Sequence, residues 1–287
     1  MASRTVGTTA SGAEVQSSNV QIKGRRVHYL QAGSGQPVLL VHGIAASVVD
    51  WHLNIGALAE HFAVTAIDLP GFGDSDIPPH GLGMADILPF LDDFLNALTI
   101  ERVSLVGNSM GGLICGHYAI ARPKRVERLL MIDPAGLARD ISVHFRLLSL
   151  PGLGEWALRP NPNAGKVAAR GLFHDPTLAP AAWLEDKVVD RGPQSRTYLL
   201  RSLRSGTNIF GLRQEIVMLD GLRRLAIPTL VMWGTHDHVV PVRHLDLVKR
   251  HLPNAQTYVF PDAGHVPMLE CPKQFNRLAV EFLAQRA

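Results

Sequence analysis

The sequence predicts an α/β protein with a mostly parallel central sheet flanked by helices and a helical cap inserted between two late strands. Three features lead there. Short apolar runs rich in β-branched residues recur along the chain, each stopping at Gly, Asp, Pro or His-Gly. Segments of helical periodicity fall between them. The interval from Gly136 to Leu225 then breaks the rhythm, with prolines throughout and no convincing strand. Unbroken apolar strands suit a sheet covered on both faces, and helices between consecutive strands make those strands parallel.

Element by element, Met1 to Ser18 is small and polar, and is expected to be a flexible N-terminal segment. Val27 to Gln31 alternates more than the later runs and reads as an antiparallel strand at the start of the sheet. Strands are expected at Val38–Val41, Ala63–Ile67, Val103–Val106, Leu129–Ile132, Thr229–Trp233 and Thr257–Phe260. Helices are expected at Met84–Leu98, Met110–Ala121, Val242–His251 and Pro272–Gln285. In the last of these Phe275, Leu278, Ala279, Phe282 and Leu283 recur at three- and four-residue steps and make one apolar face. Pro151-Gly152, Pro160, Pro162, Pro176, Pro180 and Pro193 punctuate short amphipathic helices in an interval too long for a loop. The expected organisation is an α/β core of residues 19–135 and 226–287 with a cap of residues 136–225.

Composition narrows the function. With 46% hydrophobic and 18% charged residues in 287, the chain has ample material for a large buried core. No segment offers the roughly 18 uninterrupted apolar residues of a spanning helix. The first residues lack the apolar stretch of a signal peptide, and Arg4 alone makes a poor transit peptide, so a cytoplasmic protein is expected. Cys115 and Cys271 read as free thiols rather than a disulfide framework. The net charge of +3 reads as a mildly basic surface, since the arginines of Arg122–Arg128 and Arg196–Arg204 lack interleaved aromatics; no nucleic-acid partner is expected. No glycine-rich nucleotide loop follows any strand. His236, His238 and His244 lack a second cluster of ligands and read as loop residues beside Asp237, so neither a metal nor any other cofactor is expected.

The chemistry gathers at strand ends. Gly107-Asn108-Ser109-Met110-Gly111 follows one expected strand and opens an expected helix, which is the setting of a nucleophile elbow. So sharp a turn strains Ser109 and lifts its hydroxyl above the sheet edge, while glycine on either side avoids collisions. The competing reading is a serine that only caps the helix. A serine hydroxyl needs a base, and His265 follows the last strand, where loops at the carboxyl ends of parallel strands share one edge. A carboxylate must hold the imidazole. Asp237 lies past the Trp233 strand and completes a Ser-Asp-His chain order, and Asp133, ending an earlier strand on the same edge, stays open as a rival. Two donors for a developing oxyanion are expected from the amides of Met110, at a helix N-terminus, and Ile44, in the turn after His42-Gly43.

With these residues in place, the chain resembles the α/β-hydrolase superfamily over nearly its whole length: His42-Gly43, Asp68-Leu69-Pro70-Gly71-Phe72-Gly73-Asp74-Ser75, Gly107 to Gly112, Asp237 and Gly264-His265. The resemblance implies that His42-Gly43 marks the oxyanion loop and that Asp68 to Ser75 is a structural turn beside the site. Relatives with Asp at the elbow include haloalkane dehalogenases and epoxide hydrolases, and Ser109 disfavours those chemistries. The elbow looks like that of meta-cleavage-product hydrolases, which split carbon–carbon bonds of ring-fission dienes. Ile44-Ala45-Ala46-Ser47 and Val266 depart from that group, and Gly264-His265-Val266-Pro267-Met268-Leu269-Glu270 looks more like general carboxylesterases.

Three functions therefore compete. The leading one is hydrolysis of a neutral small-molecule ester through an acyl-enzyme on Ser109, with loops bearing Ile44, Val239 and Val266 as the apolar acyl pocket. The second is carbon–carbon hydrolysis with the same triad, for which Arg191 in the cap is the candidate carboxylate clamp. The third is a ligand-binding protein that has lost turnover, against which all three triad positions are filled.

Overall fold

Nine of the strands form one sheet, and most of them are the apolar runs visible in the sequence. The computed structural model describes residues 3–8, 14–81, 83–161, 164–188 and 192–285. In chain order the strands are β1 (Ser3–Thr8), β2 (Glu14–Ile22), β3 (Arg25–Ala32), β4 (Pro37–Val41), β5 (Ala63–Ile67), β6 (Val103–Asn108), β7 (Val126–Ile132), β8 (Thr207–Asn208), β9 (Gly211–Leu212), β10 (Thr229–Gly234) and β11 (Gln256–Phe260). The sheet order is β1-β2-β3-β5-β4-β6-β7-β10-β11. β1, β2, β3 and β5 pair antiparallel in succession. From β5 through β4, β6, β7 and β10 to β11 every pair is parallel.

Side chains alternate across the parallel strands and so feed two apolar layers. Leu39, Val41, Leu105, Leu129, Met131, Val231 and Trp233 face one layer. Val38, Leu40, Val106, Leu130, Ile132, Leu230 and Met232 face the other. The first layer is closed by α2 (Met84–Ala97), α3 (Met110–Ala121) and α10 (His244–His251), through residues such as Phe94, Tyr118 and Val248. The second is closed by α1 (Ile55–Ala59), α11 (Pro267–Glu270) and α12 (Pro272–Leu283), through Leu58, Met268, Phe275 and Phe282. Between β7 and β10 lie α4 (Val143–Leu148), α5 (Leu153–Ala157), α6 (Ala164–Arg170), α7 (Ala181–Val188), α8 (Gly192–Gly206) and α9 (Leu219–Leu222). Among the described residues no helix is long and apolar enough to cross a membrane.

Two expectations need correction. Met1 to Ser18 is not a flexible lead-in throughout: Ser3–Thr8 pairs with Glu14–Ser18 of β2, and Val15 and Ser18 are buried. The sequence of β2 is polar because it lies near the sheet's edge, where backbone pairing needs no apolar side chains. The interval after Gly136 also contains a short hairpin, β8 with β9; strands of two residues carry no periodicity to read.

A buried carboxylate organises the turn after β5. Asp68 Oδ1 accepts from the amide of Val48 (2.7 Å), and Oδ2 accepts from the amide of Asp74 (2.9 Å) and from His28 Nδ1 (2.7 Å). Burial acts to raise the Asp68 pKa, but these donors outweigh it and hold the carboxyl below its ordinary value. A folded-state pKa below the unfolded one means that stability is present above the unfolded value, near 3.9, and is lost as pH falls through the lowered one. Asp68→Ala is accordingly expected to cost about 3–5 kcal/mol in urea unfolding at neutral pH, with the gap to wild type narrowing on acidification below about pH 4. A gap that is constant with pH would show that Asp68 acts by packing alone.

Candidate active site

The ends of six parallel strands lie along one edge of the sheet, and a polar group follows each of them there. β6 runs directly into α3 through Ser109, whose backbone is left-handed (φ 56°, ψ −116°). That conformation is costly for a side-chain-bearing residue, and close packing enforces it. A Cβ on Gly107 would stand 2.4 Å from the Gly111 carbonyl carbon, and one on Gly111 would stand 2.1 Å from Val41 O. The turn is pinned by the Ser109 amide donating to Ile132 O (2.9 Å) and by the Ala135 amide donating to Ser109 O (3.2 Å).

His265, in the loop after β11, shares Nδ1 with Asp237 Oδ2 at 2.8 Å, both side chains being almost wholly enclosed. The other oxygen of Asp237 accepts from the amides of Val239 (2.7 Å) and Val240 (3.0 Å). Both carboxylate oxygens thus have hydrogen-bonding partners. The Asn108 side chain donates to Ile132 O (3.2 Å) and His265 O (3.1 Å), which ties the residue before Ser109 to the histidine itself.

Asp133, the rival carboxyl, is fully buried at the same edge in a left-handed conformation (φ 45°). One ligand-type atom from each of Asp133, Asp237 and His265 lies within 4.8 Å of the others. Asp133 Oδ1 accepts from the Gly234 amide (3.0 Å), while Oδ2 is buried with no hydrogen-bond partner. Burial, and next the charge of Asp237, push the Asp133 carboxyl well above its ordinary pKa. Two carboxylates this close cannot both ionise cheaply, and a proton on Asp133 would turn Oδ2 into a donor toward Asp237.

His42 has a role that the sequence did not reveal. The Leu69 amide donates to its Nε2 (3.0 Å), so the ring proton sits on Nδ1 and is donated to Gly43 O (2.7 Å). The carbonyl of Gly43 and the N–H of Ile44 belong to one planar peptide and point in opposite directions. By holding the first, His42 aims the second away from itself. Glu270 was also missed. It is a lone carboxyl in an apolar stretch, buried, accepting from the amides of Gly264, His174 (2.8 Å) and Asp175 (3.2 Å). Burial raises its pKa against the pull of those same hydrogen bonds.

Ser109, Met110 and Ile44 line one cavity of about 700 Å³, its open mouth included, with Leu113, Phe145, Leu203, Leu212, Ile216 and Val239. Its described lining carries hydroxyls at Ser202, Ser205 and Thr207 but no charged side chain. Val266, expected in this wall, is instead buried in the second apolar layer. Arg191 lies outside the described residues. His244 is buried against Trp233, with burial lowering its pKa, and His238 is exposed.

Comparison with known proteins agrees with this architecture. Residues 36–272 match the alpha/beta hydrolase fold family. An uncharacterised protein of Mycobacterium tuberculosis is 30% identical over 91% of this chain and 79% of its own length. The 2-hydroxy-6-oxo-6-phenylhexa-2,4-dienoate hydrolase of Comamonas testosteroni is 29% identical with the whole of both chains aligned. Among solved structures, a bacterial membrane phospholipase A superposes with a TM-score of 0.78 at 28% identity, covering 94% of this chain and 86% of that one. On the sheet order, the strained serine turn and this match over most of its length, the chain belongs to the alpha/beta hydrolase family.

Proposed function

We infer that the chain is a serine hydrolase that cleaves carboxylic esters through an acyl-enzyme on Ser109. The observation that carries this reading is the cavity beside Ser109, apolar along most of its wall and without a charged side chain among its described lining residues. Such a site accommodates a neutral acyl chain and gives an ionised substrate no counter-charge. Ser109 Oγ attacks the ester carbonyl and passes its proton to His265 Nε2, while Asp237 holds the Nδ1 proton and stabilises the imidazolium. The amides of Met110 and Ile44 receive the oxyanion, the second aimed by His42. His265 then returns the proton to the departing alcohol, and water, activated by the same imidazole, releases the acid.

The acid of the triad is assigned to Asp237 because it bonds His265 Nδ1 directly, whereas the raised pKa of Asp133 suits a neutral neighbour. A folded-state pKa above the unfolded one, near 3.9, gives a contribution that is best below that value and is lost as pH rises. Asp133→Asn keeps the acceptor for Gly234 and supplies a permanent donor toward Asp237. It is expected to stabilise the protein by about 1–3 kcal/mol at neutral pH, with a smaller gain near pH 4, while retaining ester turnover. Asp237→Asn is expected to lose about 10⁴ in rate, and Ser109→Ala about 10⁶. The opposite ranking of the two aspartates would move the acid to β7. Full turnover in Ser109→Ala would remove the mechanism altogether.

Carbon–carbon hydrolysis is the second reading, favoured by the alignment of the Comamonas dienoate hydrolase along both whole chains. A ring-fission dienoate carries a carboxylate, and its clamp would have to be Arg191. Across nitrophenyl esters of rising chain length, the best kcat/KM is expected to exceed that for a ring-fission dienoate by at least about tenfold, roughly 1.4 kcal/mol in the transition state. A dienoate that wins this comparison, with Arg191→Ala selectively abolishing its turnover, would establish the second reading. Failure of a fluorophosphonate to label Ser109, together with no turnover of either class, would point to a binding protein.

A further inference from the structure

Three clusters of potential metal ligands occur among the described residues, and two are accounted for. Asp133, Asp237 and His265 form the buried group described above, and in His28, Asp68 and Asp74 the imidazole and the Asp68 carboxylate are consumed by one another and by backbone amides. The third, His174, His236 and Asp262, lies at the protein's surface with exposed, half-buried and exposed side chains. Its members come from three segments: the Leu172–Asp175 turn between α6 and α7, the loop between β10 and Asp237, and the loop between β11 and His265.

We propose that His174, His236 and Asp262 bind one divalent transition-metal ion of the zinc class, which clasps the turn after α6 to the two loops that carry Asp237 and His265. The two imidazoles stack with centroids 3.7 Å apart and planes 12° from parallel, and donor atoms of all three residues lie within 4.8 Å of one another. Ligand atoms at about 2.0–2.1 Å from a tetrahedral zinc stand about 3.4 Å apart, so rotation of the side chains suffices to close the site. Two imidazoles and one carboxylate are a usual donor set for such an ion, with water in the fourth position.

The backbone that presents these donors is already held in place. The His174 amide donates to Glu270 Oε1 (2.8 Å) and the His236 amide to Ala263 O (2.9 Å), next to Asp262. The His265 amide donates to Leu172 O (2.7 Å), and a Cβ on Gly264 would stand only 2.4 Å from that oxygen, so the two segments are in close contact. The exposed carboxyl of Asp175 adds an acidic group next to His174 in the same turn. Small rearrangements of side chains, rather than of loops, therefore separate the present geometry from a coordinated one.

The test is zinc titration of the tag-free full chain by calorimetry, with cobalt(II) as a visible-absorption probe. One saturable zinc site is expected, with a rise in Tm and cobalt bands of a nitrogen- and oxygen-ligated ion. His174→Ala, His236→Ala and Asp262→Asn are each expected to weaken binding at least about tenfold, the lower limit of what even outer-shell changes cost. His238→Ala, in the same loop but outside the cluster, is expected to bind as wild type. Circular dichroism and zinc-free ester turnover of each variant separate loss of the site from loss of the fold. Absence of saturable binding, or equal affinity in wild type and the His174 and His236 variants, would overturn the proposal.

Discussion

The arrangement of the sheet's carboxyl edge depends on how closely α3 approaches β4 and β6. Gly107 and Gly111 leave no room for a Cβ, so the helix starts almost on top of the strands and the intervening residue must turn within a single peptide. That forces Ser109 into its left-handed conformation and commits its carbonyl and amide to Ala135 and Ile132. The strain is held by the surrounding packing: both apolar layers pass through β6, whose six residues are all buried. A looser helix would relieve Ser109 and, with it, the geometry on which the proposed nucleophile relies.

Around this turn the edge is built from buried carboxyl groups, each treated differently. Asp68 and Asp237 are satisfied by amides and an imidazole, and Glu270 by three amides. Asp133 has one donor for two oxygens. Ionised carboxylates persist in a protein interior only where donors replace water, which explains why the satisfied ones sit at loop junctions rich in free amides. Asp133 is buried with a single donor and lies against a second carboxyl, and its raised pKa is the consequence.

The same rule joins the inserted helices to the core. Glu270 bridges Gly264 to His174 and Asp175, and Trp183 of α7 donates its indole N–H to Asp50 Oδ1 (2.7 Å) while its ring packs edge-on against Phe173. These anchors are polar, directional and buried, so the inserted segment meets the loops bearing Asp237 and His265 at defined points. His174 owes its proximity to His236 and Asp262 to this docking, while His236 and Asp262 are neighbours because β10 and β11 pair in the sheet; nothing in the spacing of positions 174, 236 and 262 announces it.

What the sequence determined by itself is whatever is local or periodic. The parallel strands, α2, α3, α10 and α12 could be read to within a few residues, because burial on two faces writes unbroken apolar runs and one-sided burial writes a helical stripe. Ser109, His265 and Asp237 could be proposed from the sequence because each lies just past an expected strand and the parallel rule gathers such ends at one edge. Tertiary structure alone decided the rest. Polar β2 becomes a strand because β3 offers it backbone partners, and Val266 joins the second apolar layer rather than the cavity wall. His42 orients a peptide only once Leu69 lies against its ring, and Glu270 holds a junction only once the inserted helices have docked. Asp133 and Asp237, just past strands β7 and β10 that are far apart in sequence, compete for charge because those strands are neighbours in the sheet. Each of these depends on which groups meet across long stretches of chain, and hydrogen bonds between such groups leave no period in the sequence that forms them.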